Sequence, residues 1–329
     1  MSEETKKSPI FYGWFVVAAC SAVTLTLGEA LWAFGVFFKP LESDFGWSRS
    51  LVSSGYTAFL IGYAISAITT GRLADRYSPR PLLLISAGLA GLGIALCSQI
   101  NSITQLRLFL FIAGLGAGAT WSVPTATVQR WFYGRQRAGL ALGTVIAGVG
   151  VGALIFAPLI NYLILGYGWR IAFLDVGILF FVIISLASLL IKRSPKEERT
   201  VSAGEAGMPE SVTNHGWTIG KAVFTPAFVG ITFNNCVGIF AIQAMIVHLV
   251  PHAVDVGISA TASAVALGLM GGFSAPGRVL SGFLADRIGW AKMMASCCEQ
   301  VWMPASVWRS ATQRVGRFNT SKPLSPVAM

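Results

Sequence analysis

Apolar residues in this chain neither alternate with polar ones nor recur as a one-sided stripe. They run on continuously, and eight such runs can be marked off. They cover residues 10–38, 50–71, 81–106, 108–129, 138–169, 171–191, 222–254 and 256–285. About 20 apolar residues cross a bilayer core as a helix, and every run is at least that long. A transmembrane barrel would instead show alternating segments of about ten residues. The pattern predicts eight membrane-spanning helices. Only three charges fall inside them: Glu29, Asp175 and Arg278.

The remaining charges predict an orientation. With the N-terminus inside, the inner segments carry fifteen Lys and Arg, from Lys6 and Lys7 to Arg287 and Lys292. The outer segments carry four: Lys39, Arg49, Arg107 and Arg170. Such a bias places the N-terminus in the cytoplasm. It also accounts for most of the net charge of +10 without nucleic acid. Composition agrees: 54% of residues are hydrophobic, 12% are charged, and glycine occurs 36 times in 329 residues. That excludes a soluble enzyme, a disordered chain and a disulfide scaffold, and fits an all-α polytopic membrane protein packed through small residues. Of the five cysteines, Cys20, Cys97 and Cys236 lie in apolar runs, with Cys297 and Cys298 beyond them. None forms a C-x-x-C pair, so they are expected as small core residues, with no metal or cofactor. No cleavable signal peptide is expected, because the first apolar run is too long for one.

One segment interrupts the helices. Residues 192–221 hold Lys192, Arg193, Lys196, Glu197, Glu198 and Arg199, then glycine and serine, which is linker composition. It separates a six-helix unit, 1–191, from a two-helix unit, 222–292. The last segment, 293–329, has one leucine and no isoleucine and cannot span. It reads as a non-spanning tail, expected from a truncated or frame-shifted gene product.

The two units share a motif. Gly71-Arg-Leu-Ala-Asp75-Arg76 returns as Gly282-Phe-Leu-Ala-Asp286-Arg287, at an offset of 211 residues. Each copy closes the second helix of its unit, so the second unit begins to repeat the first. Gly71 and Gly282 suit close helix approach. Asp75 and Asp286 can offer a carboxylate to a helix N-terminus. Arg76, Arg80 and Arg287 can pair with acidic groups or headgroups.

A two-fold six-helix repeat with G-x-L-A-D-R after each second helix resembles the major facilitator superfamily. The resemblance implies its fold, here a six-helix bundle plus an incomplete second bundle. It also implies a gating role for Gly71, Asp75, Arg76, Arg80, Gly282, Asp286 and Arg287. Tyr77-Ser78-Pro79-Arg80 is a looser match, with Ser78 where the family usually has glycine. Tyr12-Gly13-Trp14-Phe15-Val16-Val17-Ala18 and Ala33-Phe34-Gly35-Val36-Phe37-Phe38-Lys39 resemble the first helix of the monocarboxylate porters. The stretch from Gln129 to Gly143 resembles their fifth-helix motif. The same layout is similar to that of the bacterial oxalate–formate antiporters.

The resemblance implies a substrate site. Arg278 lies four residues before Gly282, where monocarboxylate porters have an arginine that binds the substrate carboxylate. A forked, permanently charged donor suits that task. Snorkelling to the headgroups is the alternative reading. Ser274 stands where the family often has Asp, and Trp32 where some members have Lys. Glu29 is therefore the candidate for proton coupling, or else a bundle-facing polar residue. Tyr56, Trp121, Asn234 and Asn235 are candidate cavity residues, with Tyr63 and Gln243 near them in the pattern; packing is the alternative for each. Asp175 is expected near an interface or paired with Arg170. His248 and His252 share a helix face without a third metal ligand. Glycines 139, 143, 148 and 152 are expected to pack helices.

The function expected is secondary transport of a small organic anion, a monocarboxylate or oxalate or formate, by alternating access, with protons as a coupling partner. The setting is a lipid bilayer, expected to be the bacterial cytoplasmic membrane. A non-transporting remnant or receptor-like protein, and an exporter of another solute, are the alternatives. With no G-x-S-x-G, H-E-x-x-H or Walker loop, neither an enzyme nor an ATP-driven pump is expected.

Overall fold

The computed structural model describes residues 11–32, 34–133, 137–192 and 225–289. Most of the linker expected at 192–221 and all of the tail at 293–329 lie outside them. The described residues form helices and turns, with no strand among them. Helix α1 is Gly13–Trp32 and α2 is Phe34–Phe45; α3 is Arg49–Arg76 and α4 is Pro79–Leu96. Then come α5, Ile103–Ala117; α6, Ala119–Trp131; α7, Ala138–Tyr167; and α8, Trp169–Leu190. After the linker, α9 is Pro226–Asp255 and α10 is Ala260–Ile288.

Among the described residues, seven segments are long and apolar enough to cross a membrane: Gly13–Phe45, Arg49–Ala74, Pro79–Gln99, Ile103–Trp131, Ala138–Tyr167, Trp169–Leu190 and Phe228–Asp255. Helix α10 is more polar and carries Arg278. At 29 residues and 1.5 Å per residue it is about 43 Å long, enough to span as the eighth. Successive spans run antiparallel. The Gly71–Arg76 and Gly282–Arg287 motifs therefore share one end of the bundle, the motif end. Lys39, Arg49 and Asp255 share the far end.

Several helix boundaries differ from the pattern of apolar runs: α2 continues to Phe45, and a new helix begins at Ala119 inside the fourth run. Arg107 separates the third and fourth apolar runs, yet the chain turns earlier. After α4 a single 3-10 turn covers Cys97–Gln99, and α5 starts at Ile103. Ser102 is the reason. Its hydroxyl accepts from the Gln105 amide at 3.4 Å, and the Gln105 side chain accepts from the Asn101 amide at 2.8 Å. These bonds satisfy two otherwise orphaned donors. Ser102→Ala is expected to cost about 1 kcal/mol, read as a lowered unfolding midpoint in detergent.

Helix α7 is the structural seam. Its glycines divide between two neighbours. Gly148 and Gly152 face α1, where Gly28 lies so near that a Cβ on it would meet the Val149 carbonyl. Gly139, Gly143 and Gly150 face α10, lying against Gly282, Arg278 and Gly271. Helix α10 thus packs antiparallel along the length of α7, and the two-helix unit joins the six-helix unit there. Helix α9 makes a second junction, against α10 and α2, with Ile246, Val247 and Val250 buried.

Candidate functional site

Arg278 sits on this seam, half-buried. Its Nη1 donates to the Ile146 carbonyl of α7 at 2.9 Å. A guanidinium has five N–H donors. No other hydrogen bond or ion pair reaches the Arg278 guanidinium among the described residues, so most of its fork is unused. The register is set by Gly143, whose missing side chain admits the Arg278 backbone. A groove of about 650 Å³ runs between α7 and α10, lined by apolar residues such as Val151, Pro276 and Phe283, and Arg278 is not part of its lining.

Glu29 lies elsewhere. It is fully enclosed within the six-helix unit, and neither carboxylate oxygen has a hydrogen-bond partner among the described residues. It borders a cavity of about 30 Å³ walled by Phe34, Phe37, Tyr56, Phe59 and Phe173. That is room for about two waters. In its charged form the carboxylate would face apolar walls without a counter-charge.

Tyr56 links this cavity to the second unit. Its hydroxyl donates to the Leu31 carbonyl at 2.9 Å and accepts from Gln243 Nε2 of α9 at 2.9 Å. Its ring stacks on Phe34, with centroids 5.1 Å apart. Tyr56→Phe is expected to keep the stack and lose the bond to α9, read as faster amide exchange around Gln243.

At the motif end the two units meet through a carboxylate. Asp286 Oδ1 accepts from the Gly139 amide at 2.6 Å, and Oδ2 from the Leu140 amide at 2.8 Å. An acid capping the first turn of α7 satisfies two free donors and the helix dipole together. Arg287 covers the Phe283 ring at 4.6 Å. Arg80 acts within the first unit: it donates to the Ile191 carbonyl at 2.7 Å and the Leu189 carbonyl at 2.8 Å, closing the end of α8. Arg130 likewise donates to the Ala74 carbonyl of α3 at 2.7 Å. Gly282 is tightly packed as expected, but no described atom stands within 4 Å of a Cβ built on Gly71. The Asp75 side chain lies outside the described residues, and Arg76 is an exposed residue of the last turn of α3.

The far end carries a cluster that the sequence reading did not assemble. Asp255, the last residue of α9, binds Lys39 through Oδ1 and Arg49 through Oδ2, the latter at 2.5 Å. Glu42 of α2 holds the same two cations, at 3.3 Å to Lys39 Nζ and 3.4 Å to Arg49 Nε. The signal was present as two bases and an acid around the first far-end turn. Their partner comes from 206 residues further on.

Other expected residues are dispersed. Trp121 and Asn235 are exposed, and the Asn234 side chain lies outside the described residues. No hydrogen bond, ion pair or ring contact joins Arg278, Tyr56, Trp121 and Asn235 to one another among the described residues. His248 and His252 are both exposed. No cluster of three metal-binding side chains occurs among the described residues. The expected pairing of Asp175 with Arg170 is not made. Arg170 reaches Asp44 at 3.1 Å and lies over the Trp169 ring at 4.2 Å. Five helical positions rotate a side chain by about 140°, so residues 170 and 175 face different ways.

Long apolar helices packed in one bundle, with a repeated motif at one end, define among the described residues an integral membrane protein of helical-bundle type. The chain belongs to the Major Facilitator Superfamily, whose family match covers residues 12–298. Monocarboxylate transporter 13 of Rattus norvegicus is 31% identical over 281 residues, covering 84% of this chain and 62% of that protein. The oxalate:formate antiporter of Oxalobacter formigenes is 23% identical over 287 residues, covering 86% and 65%. The chain thus spans less than two thirds of the length of these relatives. Among solved structures, a D-xylose-proton symporter superposes with a TM-score of 0.64 at 16% identity, covering 84% of this chain and 70% of the other. A bacterial homolog of the human lysosomal transporter Spinster gives 0.66 at 16% identity, covering 92% and 71%. These two share the fold.

Proposed function

We propose that the chain takes part in secondary transport of small organic anions, monocarboxylates or oxalate and formate, by alternating access. The observation that carries this reading is the half-buried Arg278 guanidinium, with one donor engaged and no other partner for its fork among the described residues. A carboxylate matches that fork bidentately. The kinship with monocarboxylate and oxalate:formate carriers supports the same chemistry. In this reading the motif end faces the cytoplasm, as the basic loops favour, and the membrane is the bacterial cytoplasmic one. The seam of α7 and α10, held by Asp286 on the α7 N-terminus, is the inner gate.

Glu29 is the proton site in this account. A lone buried carboxyl, with space for water beside it, binds or releases a proton as its surroundings change. Glu29→Gln keeps the shape and removes that exchange. The variant is expected to retain anion-for-anion exchange and lose uptake driven by a proton gradient, measured in liposomes with and without a pH step.

Ligand-dependent stabilisation tests the substrate class. Bound substrate raises the unfolding midpoint by mass action. Lactate, formate and oxalate are expected to raise it, while xylose and a neutral amide do not. A midpoint raised by xylose and unmoved by every carboxylate would overturn the assignment.

A further inference from the structure

The far-end cluster has an arrangement that its role as a junction does not require. Lys39, Glu42 and Arg49 all belong to the first unit, on the α2–α3 turn. Glu42 touches both cations, so this triad is assembled without any help from α9. Asp255 is the visitor. One carboxylate, from the other unit, bridges an ammonium and a guanidinium, each oxygen on a different cation. That is how a free carboxylate anion would bind them. All four side chains are reachable by solvent, at 17–40% exposure. Without Asp255 the triad carries one net positive charge at the mouth.

We propose that Lys39 and Arg49 form a carboxylate-binding site at the far end of the bundle, which Asp255 occupies when that end is closed and an incoming substrate carboxylate occupies when it is open. The proposal rests on the transport reading, with this end facing outward. Separation of α9 from the α2–α3 turn exposes the pair. An anion that binds the exposed pair and not the closed one shifts the population toward the open form. The site captures the anion before it reaches Arg278, and Asp255 returns as its replacement on closure. Exposed ion pairs are individually weak, which suits a site that must release its ligand inward and a latch that must open.

The experiment is a distance measurement on the full chain in lipid nanodiscs. Spin labels are placed at Ser43 on α2 and Ile258 beyond α9, both exposed, in a background without other reactive cysteines. Sodium formate is titrated at constant ionic strength against sodium chloride. The native chain is expected to give a short distance in chloride and a growing long-distance population in formate. Asp255→Asn should show a larger long-distance population than native already in chloride, and the remaining short-distance population should convert with half-saturation at about threefold to fivefold less formate, matching the loss of a weak competitor. The double variant Lys39→Gln, Arg49→Gln should show no formate response. A long-distance population in Asp255→Asn no larger than native, or an unchanged formate response in the double variant, overturns the proposal. Arg278→Gln separates this from the transport reading. Its mouth response persists if the site is at Lys39 and Arg49, whether or not the chain transports. Loss of the response in Arg278→Gln assigns the formate effect to Arg278 and overturns the proposal.

Discussion

Replacing Arg278 with glutamine is expected to weaken carboxylate binding by about 10- to 100-fold. A hydrogen bond to a charged group contributes about 1.5–3 kcal/mol, and each 1.4 kcal/mol is a factor of ten in affinity. The glutamine amide nitrogen stands two bonds short of the arginine Nη1, so the variant gives up the bond to the Ile146 carbonyl as well as the ligand contacts, and the unfolding midpoint of the ligand-free protein separates the two losses. Lysine keeps the charge but not the fork. Arg278→Lys should therefore fall between the two, at about tenfold weaker than native. Isothermal titration in detergent with lactate and formate measures both. Equal binding by all three proteins would mean that the unused donors of Arg278 do not meet the anion.

A large effect on stability is expected at Gly282, where the two units meet. A Cβ there would run into the carbonyl of Gly139, and one on Gly139 into the carbonyl of Gly282. Backbone cannot yield as a flexible side chain does. Overpacking of this kind costs about 1–3 kcal/mol or more. Gly282→Val is expected to push α10 off α7 and pull Asp286 away from the Gly139 and Leu140 amides. The yield of monodisperse protein and the unfolding midpoint should both drop. Gly277 is the control. It lies on the same helix, and a Cβ there meets nothing within 4 Å. Gly277→Ala should leave both measurements unchanged.

The spans and the repeat were legible because burial in lipid demands long uncharged runs, and such runs need no partner to be seen. The turn at Cys97–Gln99 was not, because apolar composition continues straight through it. There only the Ser102 and Gln105 pair carries the boundary, a signal of two residues. The α7 glycines were read correctly as packing positions, and their division between neighbours follows from spacing. From Gly143 to Gly148 is five positions, which turns the helix about 140° and moves contact from α10 to α1. From Gly143 to Gly150 is seven, which returns to the first face.

Side-chain chemistry was less visible than the fold. A glutamate in a span marks a cost, but the aromatic walls around Glu29 come from helices throughout the first unit. Arg278 stood out by its charge and its place before the repeated motif. Nothing local to Lys39 and Arg49 announces that Asp255 will come to them. The missing information was tertiary throughout: which helix faces which, and at what register.

Counterflow in proteoliposomes tests the central reading most directly. Vesicles loaded with unlabelled formate and holding the purified chain are diluted into trace labelled formate, with protein-free vesicles and Arg278→Gln vesicles beside them. Transient accumulation of label above equilibrium is expected with the native chain, and none with either control. Label that only equilibrates, at the same rate in all three preparations, would contradict the account.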